Sequence, residues 1–406
     1  MKSAFKQNLF LILISLLVGL VLAEIGLRVA GISYPKFHRF DKESGGSLNP
    51  NTEGWFTDEG KAYVRINKDG WRDRVHALQK PQDTFRLVVL GDSYVAAMQV
   101  EQDKTFWALT ERKLQQCTAL NGRKLEVLSF GMDGAGTGDE LLTYRRQAQR
   151  YAPDMVLLAF LTGNDLINNS AKLEADKLRP FFHLKNGHLV EDDSFRESAY
   201  FKSRSSGLVN FLAEFLSHSR LMEVARRVYG SMQNGNAEVQ AKPVAKRLSR
   251  AAAMFDEAGL LKDAYRPPTT PEWKETWEIT EALLAQFNSE VKQNGASFYV
   301  MTLSNGVQVY PDPVLRREFQ QEFGIADLFY PDRRIKEIGD SVGFPVLSLA
   351  PIFQVYAERN KVYLHGFKNT KLGIGHWNEF GHRLAGDMLA ENLCALLHAK
   401  NKVNTH

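Results

Sequence analysis

Residues 85–93 read Phe85-Arg86-Leu87-Val88-Val89-Leu90-Gly91-Asp92-Ser93, a short aliphatic run closed by glycine, an acid and a serine. A run of this length without polar alternation predicts a strand buried on both faces, as parallel sheets require. A helical pattern from Lys104 to Cys117 follows, and the alternation then repeats. Leu125 to Phe130 reads as a second strand, Thr137 to Tyr151 as a helix and Asp154 to Leu161 as a third strand. Ser297 to Leu303 and Phe344 to Leu349 add a fourth and a fifth, preceded by helical stretches over Glu272 to Lys292 and Asp332 to Ile338. Five aliphatic strands separated by helices predict an α/β fold built on a doubly wound parallel sheet. In such sheets ligands gather beyond the carboxyl ends of the strands, which is where Ser93 falls.

The rest of the chain bounds the setting. With 406 residues, 44% hydrophobic and 24% charged, it has apolar surface enough for a large core, which excludes disordered, collagen-like and small disulfide-scaffold classes. A net charge of +4 from 51 basic and 47 acidic residues gives no nucleic-acid footprint. Lys2 and Lys6 precede an uncharged run from Asn8 to Ala23 that shows no polar face at helical spacing, so it reads as a membrane-targeting segment. Cleavage before Glu24 and retention as an uncleaved anchor extended through Ile25, Gly26, Leu27, Val29 and Ala30 are both open, and retention is favoured. Either way the lysines stay cytoplasmic and the remainder is exported; retention, the favoured reading, makes this a single-pass inner-membrane protein with a periplasmic or extracytoplasmic domain.

Three regions follow: 1–30 as anchor or signal segment, 31–84 as a turn-rich lead-in lying over the domain, and 85–399 as the main domain with an insertion at 180–275. Within the insertion, Asn186-Gly187 predicts the turn of a hairpin between Phe181–Leu184 and His188–Val190. A basic amphipathic helix is expected next, with Leu208, Phe211, Leu212, Phe215 and Leu216 on one face, and 231–247 as a mobile linker.

Four blocks carry chemistry. Gly91-Asp92-Ser93 puts a hydroxyl at the end of the first strand. Gly131-Met132-Asp133-Gly134-Ala135-Gly136 follows the second and Thr162-Gly163-Asn164-Asp165 the third. His376-Trp377-Asn378-Glu379-Phe380-Gly381-His382 precedes the last helix, with Asn378 a natural N-cap. Acyl transfer needs a hydroxyl nucleophile, an imidazole to take its proton and fixed donors for the oxyanion. Ser93, His376, the Gly134 N–H and the Asn164 amide supply these types. Asp92 and Asp165 are read as braces of their turns, and His382 as a helix residue packed near the site.

These ordered blocks resemble the SGNH, or GDSL, hydrolase superfamily over roughly residues 85 to 398. The resemblance implies a flavodoxin-like five-stranded sheet, with Ser93 as nucleophile, Gly134 and Asn164 as oxyanion donors and His376 as general base, working without cofactor or metal. Asn67-Lys68-Asp69-Gly70-Trp71-Arg72-Asp73 also looks like membrane-anchored members linked to bacterial envelope and exopolysaccharide functions. One departure matters. The family pattern is D-x-x-H, and three residues before His376 stands Gly373. An acceptor on the far ring nitrogen fixes the productive tautomer, so a loop carbonyl near Gly373 is expected to take that place, with Glu379 the other candidate.

The expected function is a membrane-tethered serine esterase or deacylase on O-acyl groups, with an acylated envelope carbohydrate or other ester as substrate. O-acyltransfer by the same residues is the alternative, and a non-catalytic envelope binding or assembly protein with a decayed site is a second class. In flavodoxin-like winding the helices bearing Cys117 and Cys394 cover one sheet face, and an oxidising compartment allows the two to pair.

Overall fold

The computed structural model describes residues 2–207, 216–217, 219–240, 250–256 and 261–403. The predicted helix face at Leu208, Phe211, Leu212 and Phe215 lies outside these residues. Of the expected linker, 231–240 instead continue a helix, Arg220–Gln240, and the rest lies outside the described residues.

The central sheet is formed by β5 (Thr84–Gly91), β6 (Lys124–Gly131), β7 (Met155–Leu161), β10 (Ser297–Leu303) and β11 (Val346–Ser348), all parallel, in the order β11-β10-β7-β5-β6. Numbered within the sheet this is 2-1-3-4-5, the flavodoxin-like winding, whose crevice opens where the order reverses, beside β5. Every residue of β5 and β7 is buried because helices cover both faces. On one face Leu87, Val89, Val127 and Leu157 pack against helices Phe106–Leu114, Leu349–Asn360 and Glu379–Val403. On the other, Val88, Leu90, Val156 and Leu158 meet helices Thr137–Arg146, Pro271–Gln293 and Tyr330–Val342. Cys117 and Cys394 form a disulfide on the first face, with Cα atoms 5.7 Å apart.

Arg86 interrupts the aliphatic run and is fully buried, because Glu126 and the carbonyls of Leu78 and Tyr151 accept its guanidinium protons. A buried charge is tolerable only when paired and hydrogen-bonded in this way.

Two antiparallel hairpins precede the sheet: β1 (His38–Asp41) with β2 (Gly45–Leu48), and β3 (Glu53–Phe56) with β4 (Ala62–Arg65). They are more than a cover. Phe37, Leu48, Ala62, Val64 and Ile66 form a small core with Ala96 and Met98, just beyond Ser93. Trp71 packs edge-on against Phe130, and Asp73 accepts the Ser129 N–H at 2.9 Å. Arg72, fully buried, donates to the carbonyls of Ala96, Ala97 and Val100. The insertion carries the expected hairpin, β8 (Phe181–Lys185) and β9 (His188–Asp192), with Asn186 and Gly187 both at positive φ. At the N-terminus, helix Lys2–Val29 contains a 25-residue stretch, Phe5–Val29, whose most apolar 18-residue window has a mean hydropathy of 2.7 and no buried residue, long and apolar enough to cross a membrane or serve as a signal sequence.

Candidate active site

The turn after β5 is fixed from below. Asp92 caps the short helix Ser93–Ala96 by accepting from the Tyr94 N–H at 2.9 Å, as the sequence suggested. Gly131, level with Gly91 in the β5–β6 register, lies so close beneath the turn that a Cβ there would stand 2.1 Å from the Ala96 nitrogen. A strand end this tight against the serine turn leaves Ser93 half-buried at the mouth of the crevice.

Ser93 Oγ lies 2.8 Å from His376 Nε2. The other ring nitrogen, Nδ1, faces Glu59 Oε2, and Glu59 Oε1 accepts the His376 backbone N–H at 2.9 Å. The group on Nδ1 is therefore Glu59, in the loop between β3 and β4, and not the loop carbonyl near Gly373 that was expected. Packing explains the departure at 373. Gly373 has φ +91, and a Cβ there would lie 2.3 Å from the Tyr310 ring, so the position has room for no side chain. Glu379 is turned away and pairs with Lys104 at 2.8 Å on the surface. Gly375 also matters: at φ +79, its Cβ would lie 2.3 Å from Glu59 Oε1. Glycine at 375 is what lets a carboxylate approach the histidine from this side.

The loop that carries Glu59 is held to the histidine loop by Asn369, which accepts from the Gly60 N–H and donates to the carbonyls of Thr57 and Gly60, each at 3.0 Å. Behind the ring, Tyr94 packs 5.1 Å from His376 between centroids. His365 lies deeper: Nδ1 is 2.7 Å from the Gly375 carbonyl and Nε2 2.9 Å from Ser304 Oγ, which itself accepts the Trp377 indole N–H at 2.8 Å. That chain gives His365 its Nδ1–H tautomer, and burial lowers its pKa to about 4, so it is a neutral strut for the histidine loop. His382 is buried against Phe106 and Trp377, as expected for a packing residue. Asn378 caps the last helix by accepting from Phe380 N at 2.9 Å.

The electrostatics follow the contacts. Burial disfavours charge on both His376 and Glu59, but their mutual hydrogen bond and attraction outweigh it. The His376 pKa is raised above its ordinary value and that of Glu59 is lowered. Asp92 is fully buried and pushed up to about 6 by that burial, against the pull of the Tyr94 N–H, the His376 charge and a hydrogen bond from Asn164.

Gly134 follows β6 in the left-handed region at φ +71, where glycine is favoured, with its carbonyl accepting from Arg179. Asn164 follows β7 at the start of helix Asp165–Asn168, braced by Asp165, which accepts from Leu161 N at 2.8 Å. Ser93 and His376 thus meet directly, Asn164 is joined to the serine turn through Asp92, and Gly134 stands on the neighbouring strand end. Glu59 and His365 were not found by sequence reasoning. Among the described residues, the one group of Cys, His and acidic atoms spaced as metal ligands is Cys117, Cys394 and His398, whose sulfurs are joined in the disulfide.

No family model and no curated protein matches the chain. Among solved structures it is similar to an acetyl xylan esterase, AlAXEase, at 12% identity over 76% of this chain and 99% of that one, with a TM-score of 0.37. It is also similar to a lipase/acylhydrolase from Enterococcus faecalis, at 13% identity over 77% and 96% with a TM-score of 0.36. A putative lipolytic protein of the G-D-S-L family from Desulfitobacterium hafniense is similar at 10% identity over 75% and 98%, with a TM-score of 0.32.

Proposed function

We propose that this chain is a serine esterase of the SGNH type that removes O-acyl groups through an acyl-enzyme. The observation that carries the reading is the continuous relay from Ser93 Oγ to His376 Nε2 and from His376 Nδ1 to Glu59. In the proposed reaction His376 takes the Ser93 proton as Oγ attacks the acyl carbonyl. Glu59 holds the Nδ1–H tautomer and stabilises the imidazolium that forms. The Gly134 N–H and the Asn164 amide receive the oxyanion. The imidazolium then returns its proton to the departing alcohol, and a water activated by His376 releases the acid. With Glu59 in place, the reading of a decayed charge system loses its main ground, the absent acid at 373.

In this reading the helix Lys2–Val29 tethers the enzyme, Lys2 and Lys6 remain cytoplasmic and the domain works outside, on an acylated envelope carbohydrate. The Cys117–Cys394 disulfide supports an oxidising compartment. The test is labelling of the purified full chain with a fluorophosphonate, with the adduct mapped by mass spectrometry. Wild type should label on Ser93, whereas Ser93→Ala and His376→Ala should not. A folded wild-type protein that stays unlabelled would overturn the assignment.

A further inference from the structure

A cleft lined by cations runs along the lead-in, its walls reaching the residues next to Gly134 and Glu59. Two cavities, of about 630 Å³ and about 270 Å³, share Lys36 and His38 as a common wall. The larger is closed by Arg226 and Arg227 of helix Arg220–Gln240, the smaller by Arg204. Lys36 stands between them. No described carboxylate pairs with Lys36, Arg204 or Arg226, and their mutual repulsion adds to burial in holding the Lys36 ammonium below its ordinary pKa. The carboxylates of the walls are fewer than the cations. Glu223 binds Arg220 and the Tyr34 N–H, Asp133 is 2.8 Å from His38, and Asp176 accepts from Leu178 N, which leaves Asp58 in the larger cavity. Cations gathered in excess of their counter-charges are costly unless an anion completes them.

The position of the cleft says what that anion belongs to. Asp133 lines the smaller cavity and immediately precedes Gly134; Asp58 lines the larger and immediately precedes Glu59. The cationic walls therefore flank both the proposed oxyanion donor and the acid. Rings stand among the cations: Tyr34 beneath Arg227, Trp55 in the larger cavity, and Phe40 and Tyr200 beside Arg204. Aromatic faces with an apolar body and flanking charges suit pyranose rings bearing acidic groups. We infer that the cleft between the lead-in and helix Arg220–Gln240 binds an anionic, acylated polysaccharide, with Lys36, Arg204 and Arg226 reading its carboxylates. That this glycan is the substrate rests on the esterase reading, and that it is anionic rests on the cleft.

The full-length Ser93→Ala protein in detergent micelles, titrated by calorimetry with hexagalacturonate and with xylohexaose, separates the two. The acidic oligosaccharide should bind on the order of tenfold more tightly at low salt, with the preference shrinking as salt screens the cleft. Lys36→Gln with Arg226→Gln should remove the preference, and an unchanged melting temperature would show that this is not unfolding. Equal binding of the two sugars, or a preference that survives the double substitution, overturns the proposal. Glycerol phosphate competing as well as the oligosaccharide would also overturn it, since the site would then be one for a phosphate headgroup. Fluorophosphonate labelling of wild type reports separately on Ser93: a labelled protein without the preference loses only the anionic cleft, and an unlabelled one with the preference loses only its role as an enzyme on that glycan.

Discussion

Both carboxylate oxygens of Glu59 serve a single residue, His376: Oε1 accepts its backbone N–H at 2.9 Å and Oε2 faces ring Nδ1. One side chain thus fixes the position of the loop and the tautomer of the ring. Glu59→Gln is expected to lower kcat on a small acetate ester by about 10³–10⁴-fold, because an amide can hold the ring in the wrong tautomer. Gly375→Ala should reproduce much of that loss without touching the acid, since its Cβ would occupy the place of Oε1 and its φ of +79 disfavours any side chain. Ester hydrolysis by both purified variants checks the pair; full activity in Glu59→Gln would remove Glu59 from the reaction.

The same contact sets a pH dependence. Burial lowers the His376 pKa, but the Glu59 hydrogen bond and charge, with Asp92 and Asp133, raise it further, so the net value lies above 6.5. The base must be neutral, so kcat/KM should fall as pH drops through a pKa above 6.5, and Glu59→Gln should move that limb downward. Stability runs the other way. The His376 contribution is full below 6.5 and is lost as pH rises through the raised folded value. The Glu59 contribution is present above 4.5 and is lost as pH falls through the lowered folded value. The pair stabilises most between these limits, where His376 is protonated and hydrolysis should be slow. A pH–rate profile beside a pH–melting series reads both; an acid limb that Glu59→Gln leaves in place would contradict the coupling.

Asn164 reaches the serine turn through Asp92, which accepts its side-chain hydrogen bond. Asn164→Ala should cost about 10²–10³-fold in kcat with little change in KM, the mark of a donor used mainly in the transition state. It should also raise the Asp92 pKa further, because the carboxylate loses one of the bonds that favour its charged form. Steady-state kinetics on a small ester separate kcat from KM, and a loss confined to KM would make Asn164 a binding residue instead.

The five sheet strands were legible because strands of a sheet covered by helices on both faces are mostly apolar, and the turns at Ser93, Gly134 and Asn164 were legible because they follow those strands. Glu59 was not. It lies 317 residues before His376, on a hairpin whose four-residue strands alternate too briefly to stand out, and nothing local marks one glutamate among several in a polar lead-in. The clue was negative: Gly373 stands where an acid was expected, and its positive φ against Tyr310 excludes one. The lead-in was read as a cover because its apolar pieces are short. Beside its small apolar core with Ala96 and Met98, it is anchored by polar groups, Arg72 on three carbonyls beyond Ser93 and Asp73 on Ser129 N, and such contacts leave no periodicity in the sequence.

The Cys117–Cys394 disulfide closes a separation of 277 residues and ties the segment after helix Phe106–Leu114 to helix Glu379–Val403. These elements pack on the same sheet face, and the C-terminal helix begins three residues after His376. A cross-link over so long a stretch acts chiefly on the unfolded chain, and its removal typically costs about 2–5 kcal/mol. Cys117→Ser with Cys394→Ser, made together to leave no stray thiol, should therefore lower the denaturant midpoint while the folded fraction still labels on Ser93, because neither sulfur touches the relay. Denatured wild type prepared without reductant should show no free thiol, and two after reduction. Two free thiols before reduction would contradict the cross-link and remove the support it gives to an oxidising compartment.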